Sequence, residues 1–159
     1  MLQSAFRASG DRSGMRLVHF SIQSNHIHAL VEARDAQTLA RRMQGLCVSI
    51  ARGLNRTWKR AGRVFADRFH SRVLRTPREV RYALAYVLNN ARKHGLRLLG
   101  VDSYSSGVAF DGWHEAPSTK TRSPASHSLP VRPARSWLLT VGWRRHGRIR
   151  ITEVPGGSS

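Results

Sequence analysis

The sequence predicts an α+β domain in which an antiparallel β-hairpin is followed by two helices and a turn-rich C-terminal extension. Three observations carry this. Apolar and polar residues alternate from about residue 16 to 23. Apolar residues then recur in steps of three and four after Asp35, and a complete helix-start signature stands at Thr76-Pro77-Arg78-Glu79. At 159 residues with 40% hydrophobic content and four Trp, the chain fits one domain with a real core.

Val18, Phe20 and Ile22 alternate with His19, Ser21 and Gln23, the pattern of a half-buried strand. Ser24-Asn25 interrupt the run, and a second strand is expected from about His26 to Ala33, closing an antiparallel hairpin. On it His26, His28 and Leu30 share one face, with Ile27, Ala29 and Val31 on the other. Asp35 is a suitable N-cap for a helix whose apolar face is Leu39, Met43, Leu46, Cys47, Ile50, Leu54 and Trp58. Gly45 and Gly53 weaken that helix slightly, and Ala61-Gly62 end it. Residues Val64 to Arg75 are rich in aromatic and β-branched types and are expected to form a further strand.

Thr76 as N-cap, Pro77 at the first helical position and Glu79 three residues after the cap form a capping box. The helix they open is expected to run from Pro77 to Lys93, burying Val80, Ala83, Leu84, Val87 and Ala91 and stopping at His94-Gly95. Residues 1–100 would form the principal domain. Residues 101–113 read as turns with aromatic plugs at Tyr104, Phe110 and Trp113. Residues 114–136, rich in Ser, Pro, Thr and Arg, are expected to be a disordered linker. Residues 137–154 restore a short apolar and basic segment, helix or strand, and the last residues are tail.

A net charge of +18, from 27 Lys and Arg against 9 Asp and Glu, points to a polyanionic partner, with nucleic acid the default. Most of the cations are Arg, whose planar fork suits phosphate. The competing reading is a basic protein without a dedicated partner. One cysteine, Cys47, permits no internal disulfide, and it reads as a small core residue in a reducing compartment. The N-terminus lacks the long apolar core of a signal peptide, and no run reaches membrane-span length, so a cytoplasmic protein is expected.

Two small constellations bear chemistry. His26 and His28 would project together from one strand face, as two ligands of one metal ion must. Tyr86 and Asn90 lie one helical turn apart, at the flanks of the apolar stripe and able to face a common ligand. A phenol is a weak nucleophile while protonated, so attack on phosphorus needs a nearby cation to polarise the phosphate. Two imidazoles and an amide oxygen could hold such an ion. Against this stand plainer readings: ordinary strand histidines, a half-buried aromatic, and an asparagine near a helix end.

The runs Ser24-Asn25-His26-Ile27-His28-Ala29-Leu30-Val31, Val64 through Arg72 and Tyr86-Val87-Leu88-Asn89-Asn90 together resemble the HUH single-tyrosine transposases. That insertion-sequence-200-like class includes the REP-associated tyrosine transposases of bacteria. The resemblance implies a ferredoxin-like or RRM-like antiparallel sheet with helices on one side. It implies cleavage of single-stranded, hairpin-bearing DNA during transposition, through a tyrosine joined to a 5′ phosphate, with a homodimer compatible. Residue by residue, Tyr86 takes the nucleophile role, and His26, His28 and Asn90 become ligands of Mg²⁺ or Mn²⁺. Tyr82, one turn earlier, is a second tyrosine to be told apart from it.

The family begins with a strand and helix ahead of the hairpin, and this chain is expected to lack them, leaving a strand edge unpaired. An inactive relic or a domesticated nucleic-acid-binding protein is therefore the alternative function. Arg41, Arg42, Arg52, Arg56, Arg68 and His70 are candidates for phosphate contact, or simply solvated faces. Arg144 and Arg145 beside Trp137 and Trp143 could bind DNA and stack bases, or the tryptophans could anchor the tail.

Overall fold

The computed structural model describes residues 14–93, 100–115 and 129–155. Strands β1 (Met15–Ile22) and β2 (Ile27–Ala33) pair antiparallel through a short turn in which Gln23 N–H donates to His26 O at 2.9 Å. The helices are α1 (Ala36–Thr57), α2 (Pro77–Leu88), the single turn α3 (Asn90–Lys93) and α4 (Trp137–Thr140). Two 3₁₀ turns, Ser106–Ala109 and Gly142–His146, complete the regular structure.

The hairpin forms as the alternation requires, with one change of phase. Val18 is the extra residue of a bulge between Leu17 and His19. The bulge moves Leu17 onto the face of Phe20 and Ile22, where all three pack with Leu46, Ile50 and Met43 of α1. His19 consequently turns to the other face, edge-on to Phe110 with ring centroids 5.3 Å apart. On β2, Ile27, Ala29 and Val31 face α1, whereas Leu30 joins Val80, Leu84 and Leu88 of α2. The helices therefore flank the sheet on opposite faces and do not share one. On the second face of β2 the apolar contact is Leu30, which packs in the cluster that α2 and the C-terminal segment build.

Both helix starts are local and strong. Asp35 accepts the Thr38 N–H at 2.6 Å and caps α1. Thr76 Oγ1 accepts from Glu79 N–H at 3.2 Å while the Glu79 carboxylate accepts from Thr76 N–H at 3.1 Å. The Arg75 N–H and then the Arg72 guanidinium on that carboxylate hold it at a pKa of about 2. Three other expectations need correction. Val64 to Arg75 forms no strand: its apolar residues do not alternate cleanly, only Phe65 and Leu74 pack against the core clusters, and Val73 is exposed. Trp58, placed on the apolar face of α1, instead follows its last turn as C-cap and is 57% exposed. The long second helix breaks at Asn89, whose backbone leaves helical geometry and whose side-chain amide donates to Arg150 O at 3.0 Å. The expected stop at His94-Gly95 lies outside the described residues.

The extension is part of the core. Phe110, Trp113, Trp143 and Ile149 are buried in one cluster with α2 and Leu30. Gly112 is required there, because a Cβ would run into the Trp143 and Phe110 rings. The edge of β1 that was expected to stay unpaired is bonded by the same region. Ile22 N–H donates to Tyr104 O at 3.0 Å, Phe20 N–H to Ser106 Oγ at 2.9 Å, and Arg132 N–H to Leu17 O at 2.8 Å. Residues 129–136, assigned to a disordered linker, are thus ordered against the sheet, with Glu32 accepting the backbone N–H of Arg135 and Ser136. Leu129 and Val131 give that stretch something to bury. Among the described residues no helix is long and apolar enough to cross a membrane.

Candidate active site

The hairpin and α2 meet at three aromatic rings. His28 is the second residue of β2 and points to the α2 face; His26 stands just before the strand. Their imidazoles are 4.6 Å apart between centroids at 72°. His28 in turn lies edge-on to Tyr86, 4.9 Å away at 82°. Tyr86 is half-buried in the last turn of α2, packed against the core that Leu84 and Val87 help to build. Strand period and helix period thus converge on one point.

Each ring is oriented by a neighbour. Asn25 Oδ1 lies 2.6 Å from His26 Nδ1, a contact that suits a proton on that nitrogen. The Lys93 ammonium lies 4.5 Å from the Tyr86 ring centroid, within cation–π range. A positive charge beside the ring suits a phosphate placed next to it.

Asn90, expected at a flank and facing outward, is wholly buried at the start of α3. Neither its amide oxygen nor its amide nitrogen has a hydrogen-bond partner among the described residues. A buried amide left so costs roughly 1–3 kcal/mol. Such a group could serve as a donor to a ligand. Among the described residues no three His, Cys, Asp or Glu side chains gather, so His26, His28 and the Asn90 amide oxygen are the groups here that could hold a metal ion. Imidazole and amide donors together match Mn²⁺ better than the all-oxygen shell Mg²⁺ prefers.

The remaining candidates are dispersed. Arg41, Arg42, Arg52 and Arg56 are exposed on α1, across the sheet from Tyr86. Arg68 and His70 are exposed on the irregular segment after α1. Arg145 is stacked at 4.9 Å over Trp137, an exposed ring. Arg144 covers Trp143 at 4.7 Å and donates to Asp111 at 2.8 Å. Trp143 is the anchor of the tail, only 1% exposed. Lys93 and Asn25 were missed in the sequence, although Lys93 stands two helical turns after Tyr86 and Asn25 directly precedes His26.

The family model described as "Transposase IS200 like" matches residues 1–90, more than half of the chain. The chain belongs to the IS200-like transposases. The matched region contains His26, His28, Tyr86 and Asn90 and ends at the last of them. Membership places this transposase in DNA transposition, with DNA as its partner. No curated protein and no solved structure matches it.

Proposed function

We propose that this transposase cuts and rejoins single-stranded, hairpin-bearing DNA through a covalent bond between Tyr86 and a 5′ phosphate, with Mg²⁺ or Mn²⁺ held by His26, His28 and Asn90. The observation that carries the reading is the edge-on contact of His28 with Tyr86 at 4.9 Å, which joins the histidine pair to the only tyrosine followed by an amide four residues on. The two histidines reach this point from the sheet and the phenol from α2. An HUH-type endonuclease domain accounts for that pairing of elements.

Tyr86 Oη attacks phosphorus and gives up its proton to solvent. The bond from phosphorus to the 3′ oxygen breaks, and that oxygen leaves as a hydroxyl after taking up a proton. A bound divalent ion supplies Lewis-acid polarisation of the phosphate. Lys93 stabilises charge gathering beside the ring, and Asn25 keeps His26 in the tautomer a ligand needs. The phosphotyrosine bond conserves the energy of the phosphodiester, so the step reverses onto a new 3′ hydroxyl, as strand transfer requires.

The test is a denaturing gel of protein incubated with labelled hairpin-bearing single strands and Mn²⁺. Wild type forms a covalent adduct, and Tyr86→Phe forms none while binding the DNA as before. An adduct that survives Tyr86→Phe but not Tyr82→Phe moves the nucleophile to Tyr82. A folded wild type that binds a diverse substrate pool but yields no adduct makes the protein a DNA-binding domain without catalysis.

A further inference from the structure

Tyr82 is left over by this mechanism, and its surroundings are those of a binding site. It is 56% exposed, an unusual state for a large ring on a helix whose other face forms the core. One turn earlier, the Arg78 guanidinium lies 5.5 Å from the Tyr82 ring centroid. Among the described residues Arg78 makes no ion pair, so its charge is available to an anion. Arg78 and Tyr82 form one wall of a cleft of about 310 Å³, completed by Arg81, His146 and Glu153. That volume is at the small end of the roughly 300–1,000 Å³ typical of ligand sites, enough for one planar group with its substituent.

The opposite wall comes from the C-terminal segment and is firmly held. Arg81 donates to Glu153 Oε2 at 2.8 Å and to Arg148 O at 3.2 Å, and Asn89 fastens Arg150 O. The Arg81–Glu153 pair neutralises itself, which leaves Arg78 as the cation of the cleft and His146 as a second polar edge. An exposed aromatic ring with a cation beside it in a small open cleft is complementary to a nucleotide: the base stacks on the ring and the phosphate meets the guanidinium. Tyr82 is four residues before Tyr86, about 6 Å along the helix axis. A strand whose phosphate lies at Tyr86 brings an adjoining nucleotide to this cleft.

We propose that Arg78, Tyr82 and His146 form a nucleotide subsite that grips an unpaired nucleotide of the DNA strand beside the one that is cut. The subsite rests on the reading of single-stranded DNA as substrate with the cut at Tyr86, and its own test is binding rather than cleavage.

The experiment measures binding of fluorescein-labelled single strands to the full chain by anisotropy, with all variants in the Tyr86→Phe background so that no adduct forms. A second readout places 2-aminopurine at successive positions and follows its quenching on stacking. Tyr82→Leu keeps apolar bulk without a π face and should weaken binding about tenfold or more, with loss of quenching at one position. Tyr82→Phe should retain both affinity and quenching, and Tyr104→Leu, at a still more exposed ring, should change neither. Arg78→Gln should lower the slope of log affinity against log salt by about 0.7, one phosphate contact on a single strand. Wild-type affinity and quenching in Tyr82→Leu would overturn the subsite while leaving the Tyr86 chemistry standing. If the Tyr86→Phe protein binds no single strand even at low salt, the DNA reading fails and the subsite fails with it. If Tyr82→Phe weakens binding as much as Tyr82→Leu, stacking is not the interaction and the proposal is wrong.

Discussion

The backbone N–H of Arg132 donates to the carbonyl of Leu17 at 2.8 Å, joining two residues from opposite ends of the chain across the outer edge of β1. With Tyr104 on Ile22 and Ser106 on Phe20, it closes an edge that would otherwise template association with other chains. A protein ending at Gly100 should therefore lose cooperative unfolding and associate, because it lacks both this edge cover and Phe110, Trp113, Trp143 and Ile149. Light scattering and thermal unfolding of the shortened and full chains check this; a monomeric, cooperatively folding short form would refute it.

The two tryptophans of the C-terminal segment should behave oppositely. Trp143→Ala empties a fully packed site and should cost about 3–5 kcal/mol. Trp137→Ala, at a ring 48% exposed, should cost under about 1 kcal/mol. Urea unfolding followed by circular dichroism measures both.

His19 makes stability depend on pH. Burial takes its pKa from 6.5 to about 4, against the opposing pull of the Asp111 carboxylate. Above pH 6.5 neither the folded nor the unfolded chain carries this proton, and the full stability is present. Between pH 6.5 and about 4 the unfolded chain takes up a proton that the fold refuses. Stability should fall by about 1.4 kcal/mol per pH unit there, on the order of 3 kcal/mol in all. His19→Asn should flatten this part of the curve, as read from urea midpoints at successive pH values.

Metal binding should need the histidines together. Calorimetric titration with Mn²⁺ is expected to show one site in wild type, none in His26→Ala/His28→Ala, and weakened binding in Asn90→Ala. Equal binding by wild type and the double variant would remove the pair as ligands.

Lys93→Gln should slow adduct formation at saturating DNA without weakening DNA binding, and Lys93→Arg should restore the rate, since only the charge near Tyr86 is at issue. An effect on affinity alone would make Lys93 an ordinary phosphate contact.

The Asp35 and Thr76–Glu79 caps, the hairpin and the apolar stripes of α1 and α2 were legible in the sequence because each depends on residues at most a few positions apart. The same periods put His26, His28 and Tyr86 forward, and the fold brings those three rings together. Local pattern could not reveal relations between distant segments. Val64 to Arg75 had strand-like composition but no ladder partner, and a strand exists only by pairing. The bulge at Val18 changed which residues face α1, and Leu30, on the face of β2 opposite Ile27, Ala29 and Val31, packs with α2. Asn90 was outward on an ideal helix; the break at Asn89, held by Arg150 sixty-one residues away, buries it. The sequence by itself determined the hairpin, the two helix starts and their apolar faces, because capping and periodicity act within a few turns. Only the tertiary structure decided that the C-terminal third covers the edge of β1, completes the core under Tyr86 and walls the cleft at Tyr82, because those contacts depend on which distant surfaces have apolar area and backbone groups left to satisfy.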